Sequence, residues 1–354
     1  MRSTRSRDLN LAEMSVKTES ELEELLSRPD HKTVEAMEEL EGDLLILGAG
    51  GKMGPSLVRL ARRACDQAGV KKRIIAVARF TNPNLPAELA ELNIECIPCD
   101  LLDRAALAKL PDVHNVVFMA ARKFGTSGGE HLTWAMNTYL PGLIADRYRN
   151  SRIVAFSTGN VYPLRLISQG GAQETTPVGP VGEYAQSALG RERMFEYGSM
   201  QWGTPGVILR LNYAVELRYG VLVDIGLAVF ERRPVSLAMP RVNVIWQGEA
   251  NSWCLRSFAH CQAPPLVLNI TGAEALSVRE IALEFGRHFG IEPTFASHDE
   301  GSSALLSDAS KARAMFGDPA VTPKQMIAWI ADWVRLGGPL LNKPTHFQTR
   351  DGKF

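Results

Sequence analysis

The sequence predicts an α/β protein: a Rossmann-type doubly wound parallel sheet with a smaller C-terminal substrate lobe. Three observations predict it. Seven short apolar runs are continuous rather than alternating, the pattern of strands buried on both faces. Helical stretches separate the early runs, as βαβ units require. The loop Gly48-Ala49-Gly50-Gly51-Lys52-Met53-Gly54 directly follows the first run and leads into a helix.

The elements follow in order. Residues 1–42 are polar and acidic, with Glu19, Glu21, Glu23, Glu24, Glu35, Glu38, Glu39 and Glu41; Leu22, Leu25 and Leu26 mark a short amphipathic helix. This acidic helical extension is expected to be a solvated appendage. The apolar runs are Leu44 to Leu47, Ile74 to Val77, Ile94 to Ile97, Val116 to Met119, Ile153 to Phe156, Val207 to Leu209 and Leu266 to Ile270. After the first, Leu57, Leu60, Ala61 and Ala64 form one apolar helical face, and Pro55 suits its first turn. After the sixth run, Pro- and Gly-bearing segments at 164–183, 213–245 and 290–345 break the rhythm. The nucleotide-binding domain is therefore assigned mainly to 43–215, with 246–275 returning to it. Residues 216–245 and 276–354 are assigned to the substrate lobe and C-terminal tail, over the carboxyl edge of the sheet.

Composition narrows the function classes. The 354 residues are 45% hydrophobic and 22% charged, an ordinary globular balance. Lys plus Arg and Asp plus Glu are both 39, so no net field draws a polyanion; nucleic acid and membrane are not expected partners. The acidic extension is offset by a more basic body. Five cysteines, an odd number in a large chain, fit a reducing cytoplasm better than a disulfide framework. Cys96 and Cys99 lie in an apolar run without a second CxxC, and the seven histidines show no metal-ligand spacing, so no metal is expected. No apolar stretch approaches the roughly 20 residues that span a bilayer.

The glycine loop carries the first chemistry. Glycines let backbone turn tightly and approach a pyrophosphate, whose charge is stabilised by free N–H groups at a helix start. Gly48, Gly50, Gly51, Lys52, Met53 and Gly54 are therefore candidate dinucleotide ligands. The second run ends Ala76-Val77-Ala78-Arg79, without the carboxylate that would hold a ribose 2′-hydroxyl. Arg79 favours NADP over NAD.

From here the chain resembles the extended short-chain dehydrogenases/reductases, the NAD-dependent epimerase/dehydratase family. Gly48, Gly51 and Gly54 match its GxxGxxG, Asp100-Leu101-Leu102-Asp103 its DLxD, and Ser157-Thr158-Gly159-Asn160-Val161-Tyr162 its SSxxVYG. Glu174, Pro177, Pro180 and Tyr184 resemble the approach to its YxxxK. Asn269-Ile270-Thr271-Gly272, Leu276-Ser277-Val278-Arg279-Glu280 and Ser307-Asp308-Ala309-Ser310-Lys311-Ala312 are similar to its C-terminal segments. The resemblance implies cofactor contacts at Asp100, Leu101, Ala120 and Ala121, a catalytic hydroxyl at Thr158 and a proton-exchanging phenol at Tyr184. It implies substrate contacts at Asn160 and Asn212, a structural role for Asn137, and a homodimer formed through two helices beside the active site. Arg210 and Asn212 resemble its RxxN with one residue fewer; Arg218 and Tyr219 follow in the same loop as further substrate candidates.

One position departs. Tyrosine with a free pKa of about 10 is a poor base at neutral pH, and the family supplies a lysine four residues on, whose charge favours phenolate. Here Tyr184-Ala185-Gln186-Ser187-Ala188 places Ala188 there. Lys123 is the expected substitute, with Arg122 and Arg191 as further cations. The expectation is an NAD(P)-dependent dehydrogenase or epimerase/dehydratase transferring hydride on a sugar, sugar acid or polyol. The lack of a basic cluster in the second lobe favours a small free sugar or sugar acid over a nucleotide sugar. The alternative is a catalytically silent NAD(P)-binding sensor or scaffold.

Overall fold

All seven apolar runs become strands of one parallel sheet. The computed structural model describes residues 15–123, 128–296, 300–343 and 345–353. The strands are β1 (Leu44–Leu47), β2 (Ile74–Ala78), β3 (Glu95–Pro98), β4 (Asn115–Phe118), β5 (Arg152–Thr158), β6 (Gly206–Leu211) and β7 (Leu266–Ile270). Their spatial order is β7-β6-β5-β4-β1-β2-β3. Leu44 pairs with Ile74 on one side and Asn115 on the other, so the winding reverses at β1. A crevice must open there at the carboxyl ends of β1 and β4, where doubly wound sheets bind ligands.

The pleat sorts side chains into two layers. Leu44 and Ile46 pack with Leu57, Leu60, Ala61 and Ala64 of helix α3, where α1 is Glu19–Leu26, α2 is His31–Glu39 and α3 is Gly54–Ala68. Leu45 and Leu47 face Phe118, Leu140, Ile144 and Phe195 on the opposite side. Helices α4 (Gly182–Trp202), α5 (Val221–Phe230), α6 (Gln247–Arg256), α7 (Val278–Phe289) and α8 (Pro323–Arg335) complete the parts that bear on the site. Val221, Phe285, Trp329 and Trp333 of α5, α7 and α8 share a separate cluster, the interior of the second lobe. Trp246 joins that cluster and Trp253 the sheet layer, both buried.

Residues 15–42 are not the solvated appendage their composition suggested; residues 1–14 of that extension lie outside the described residues. Leu22 and Leu26 of α1 are fully buried in the second-lobe cluster, and Met37 of α2 lies in the sheet layer. Thr18 and Glu21 form a reciprocal capping box on α1, and the Asp30 side chain caps α2 by accepting from Thr33 N. Three of the glutamates pair with arginines of the body: Glu23 with Arg59 and Arg218, Glu24 with Arg63, Glu19 with Arg218. Burying Leu22 and Leu26 contributes about 1.5–3 kcal/mol each, and the half-buried pairs of Glu23 with Arg59 and Arg218 add to that anchoring. The five cysteines are unpaired, and burial pushes the Cys96 and Cys99 thiols up.

Candidate active site

Two connected hollows occupy the crevice. One, about 200 Å³, is lined by Gly48, Gly50, Arg79, Asp100, Leu101 and Ala120. The other, about 270 Å³, is lined by Lys52, Lys123, Thr158, Tyr184, Arg191 and Tyr219 among others. Gly48, Gly51, Met119 and Ala121 belong to both, so the glycine loop forms the sill between them. Gly48 has φ +94°, and a Cβ there would come within 2.6 Å of the Ala120 nitrogen. Gly54 packs on Ala49 so closely that a Cβ would overlap its carbonyl, and it lies beneath the loop rather than in a hollow. Met53 begins α3 without a side-chain cap, and Pro55 occupies the first turn. A glycine cradle, an uncapped helix N-terminus and two hollows in series fit a dinucleotide.

The second hollow collects Thr158, Tyr184, Lys123 and Arg191. Thr158 ends β5; its Oγ1 accepts from Asn160 N at 3.2 Å and Asn160 Nδ2 at 3.0 Å. With those acceptor sites used, the hydroxyl proton is the part left to donate. Tyr184 lies in the first turn of α4 and is buried. Ala188, one turn on, packs with Val161, Tyr162 and Ala172. Lys123 Nζ lies 5.9 Å from the Tyr184 ring centroid and donates to Thr345 O at 3.3 Å. Arg191, two turns after Tyr184, reaches the same hollow; it donates to Phe156 O at 2.7 Å and Asn137 Oδ1 at 2.9 Å, while its buried Nε has no partner. Burial lowers the pKa of Arg191, which the Tyr184 and Glu192 charges oppose.

Two buried polar networks hold these groups. Asn137, on a π-helical turn at Ala135–Tyr139, accepts from Arg122 N and Arg191 and donates to Arg122 O and Ser187 Oγ. It thereby ties the loop after β4 to α4. Behind Thr158, Glu192 accepts from Ser157 Oγ at 2.5 Å and from Arg210 Nη2 at 2.7 Å; Arg210 also donates to Tyr162 Oη. Tyr162 Oη donates to Asn269 Oδ1, and Asn269 Nδ2 donates to Ala172 O and Asp308 O.

The substrate candidates separate. Asn160, Asn212 and Tyr219 line the second hollow, although Asn212 also donates to Asn243 Oδ1. Arg218 does not line it: its guanidinium is taken by Glu216, Glu19 and Glu23, because tertiary packing brings α1 alongside this loop. Lys52, expected with the glycine loop, turns its ammonium toward the second lobe, donating to Ala214 O at 3.0 Å and lying 3.8 Å from the Tyr219 ring centroid. Thr345 is a wall residue that sequence reasoning missed. It lines the hollow, with its N and Oγ1 donating to Asp224 Oδ2. No local signal marks that segment. No helix among the described residues is long and apolar enough to cross a membrane, and no metal-ligand cluster occurs among them.

The sheet order and the glycine sill define a Rossmann-type dinucleotide-binding protein. Residues 44–215, from β1 to just past β6, match the model of the NAD dependent epimerase/dehydratase family. Solved structures of similar fold include Pal from Bacillus thuringiensis (TM-score 0.69, 17% identity, covering 83% of this chain and 99% of that one). The UDP-glucose 4-epimerase of Thermotoga maritima, solved with UDP-glucose, gives TM-score 0.66 at 15% identity, covering 83% and 98%. The UDP-glucuronic acid 4-epimerase of Bacillus cereus, in complex with UDP-glucuronic acid and NAD, gives 0.66 at 18% identity, covering 83% and 99%. A comparison with curated proteins gives no match.

Proposed function

We propose that the protein is an NAD(P)-dependent enzyme that exchanges hydride with a carbinol carbon of a sugar, sugar acid or polyol. The observation that carries this reading is the convergence of Thr158, Tyr184, Lys123 and Arg191 on one hollow beside the glycine sill. Gly48, Gly50, Gly51, Met53, Asp100, Leu101, Ala120 and Ala121 would hold the dinucleotide, with Gly54 setting the loop. When bound, the nicotinamide supplies the hydride acceptor or donor. Thr158 Oγ1 donates to the substrate oxygen, and Tyr184 Oη moves its proton. The positive charge that the family places at 188 comes from Lys123 across the hollow and Arg191 one turn further along α4. Exposed Arg79, at the end of β2 beside the smaller hollow, supports a preference for NADP.

Free thiols support a cytoplasmic setting, and exposed Tyr139, Tyr197 and Met200 on adjacent helices support a homodimer through that face. The test is fluorescence titration with NADPH and NADH, followed by nicotinamide absorbance over a panel of sugars, sugar acids and polyols. Turnover that is lost in both Thr158→Val and Tyr184→Phe supports the reading. Tight cofactor binding without turnover across the panel would replace it with a sensor or scaffold.

A further inference from the structure

Residues 345–352 lie against the second hollow, and neither the cofactor nor the hydride step uses them. We propose that this segment is a strap that sets substrate size. Thr345 is its wall residue and Arg350 its clasp, and together they confine the hollow to a single sugar ring and keep out a substrate carrying a nucleoside diphosphate. That the hollow is the substrate site rests on the hydride-transfer reading; the strap and its clasp do not.

The strap is fixed at places far apart in the chain. Thr345 is buried; its N and Oγ1 donate to Asp224 Oδ2 of α5, and its carbonyl accepts from Lys123 Nζ. Phe347 is buried in the second-lobe cluster. Arg350 Nη1 donates to Ala238 O and Ser303 O, both at 2.9 Å, and Nη2 donates to Ser303 Oγ at 2.6 Å. Ser303 is itself held by antiparallel pairing with Leu166. A guanidinium presents its donors in a fixed fork, so three acceptors on two segments define one position for the strap. At its far end Gly352 lies on the turn into α4, with φ +72° there and +81° at Gly182, and a Cβ on Gly352 would overlap Val181 O. Tyr184 stands two residues beyond Gly182.

Size follows from what the strap occupies. The hollow, about 270 Å³, shares Lys123, Asn160, Tyr213 and Thr345 with a gap of about 40 Å³ that is further lined by Phe347, Arg350 and Gly352. That gap admits water but not a sugar. The hollow is at the small end of ligand sites and must also take the nicotinamide, which leaves room for one ring. Tyr213 stands on the shared wall with φ +48°, a strained backbone that its surroundings hold in place.

The experiment labels Lys123 with a small and a bulky reagent. Burial pushes this lysine down to about 8, against the Asp224 charge, so at pH 8 part of it is the nucleophilic amine. The full chain, with and without saturating NADPH, is treated with acetic anhydride or with a sulfo-N-hydroxysuccinimide ester of biotin. Labelling is read by peptide mass spectrometry relative to exposed Lys71. In the wild type, acetylation of Lys123 should exceed biotinylation at least about tenfold, and Arg350→Met should narrow that ratio to less than about threefold, the scale of losing charge-assisted hydrogen bonds. Arg350 is exposed, so its replacement should leave the melting temperature nearly unchanged; Gly352→Val, which frees the other end of the strap, should narrow the ratio likewise. The proposal is overturned if the biotin ester labels wild-type Lys123 as well as the anhydride does, if neither labels it, or if the folded variants keep the wild-type ratio. It also falls if the wild type turns over UDP-glucose at least as well as glucose. Selective labelling in a chain without turnover would remove the hydride reading and keep the strap. Turnover of free sugars with equal labelling by both reagents would do the reverse.

Discussion

Arg210→Met tests the energetic core of the site. The Glu192 side chain is fully buried and Arg210 nearly so, and they meet through Nε and Nη2 at 3.0 and 2.7 Å. Burial alone would lower the Arg210 pKa, but the Glu192 hydrogen bonds and charge outweigh it and hold the guanidinium above its ordinary value. Removing it leaves Glu192 with only the Ser157 hydroxyl among these partners. An uncompensated buried charge costs about 3–5 kcal/mol. Unfolding entropy of about 2.1 cal/mol/K per residue gives 354 residues about 0.7 kcal/mol/K, so the melting temperature should fall by roughly 4–7 °C. Differential scanning calorimetry reads this directly. Arg210→Met with Glu192→Leu should recover most of the loss, because replacing a whole buried pair with apolar groups is close to neutral. A fall of under about 1 °C in the single variant, or a double variant worse than either single, would refute the argument.

Four further outcomes are expected. Gly48→Ala, whose Cβ would crowd Ala120 N, should lower NADPH affinity by tenfold or more in a fluorescence titration; unchanged affinity would contradict the cradle. Arg79→Asp should weaken NADPH by tenfold or more while sparing NADH, and equal effects on both would remove Arg79 from cofactor choice. Leu22→Ala should cost about 2–5 kcal/mol and speed hydrogen exchange across residues 19–39; normal exchange there would show that α1 is not held by its leucines. Burial pushes the Glu249 carboxyl up to about 7 from 4.5, against backbone N–H groups of Ala320 and Val321. The folded state then binds the extra proton in that window, so this contribution is full below about pH 4.5 and lost as pH rises through 7. Melting temperature between about pH 5 and 8 should decline less in Glu249→Gln than in the wild type.

The fold was legible because its signals are local. Continuous apolar runs such as Leu44–Leu47, bounded by a glycine loop, are the pattern of strands covered on both sides, and Gly48 and Gly54 sit where a Cβ would collide. The same locality marked Thr158 and Tyr184, on short motifs at a strand end and a helix start. The N-terminal leucines showed that α1 covers something, but not that it covers the second lobe, since the partner residues lie some 200 positions away.

By itself, the sequence determined the sheet, the glycine sill, the loss of lysine at Ala188 and a small set of cations that could replace it. Only the tertiary structure decided which cations share the hollow. It drew Arg218 out to Glu19 and Glu23, brought Lys52 over Tyr219, and folded Thr345 back against Lys123. The physical reason is range: backbone periodicity and turn geometry are fixed by near neighbours, whereas a side chain's charge partner is chosen by whatever distant segment packing brings within a few ångströms.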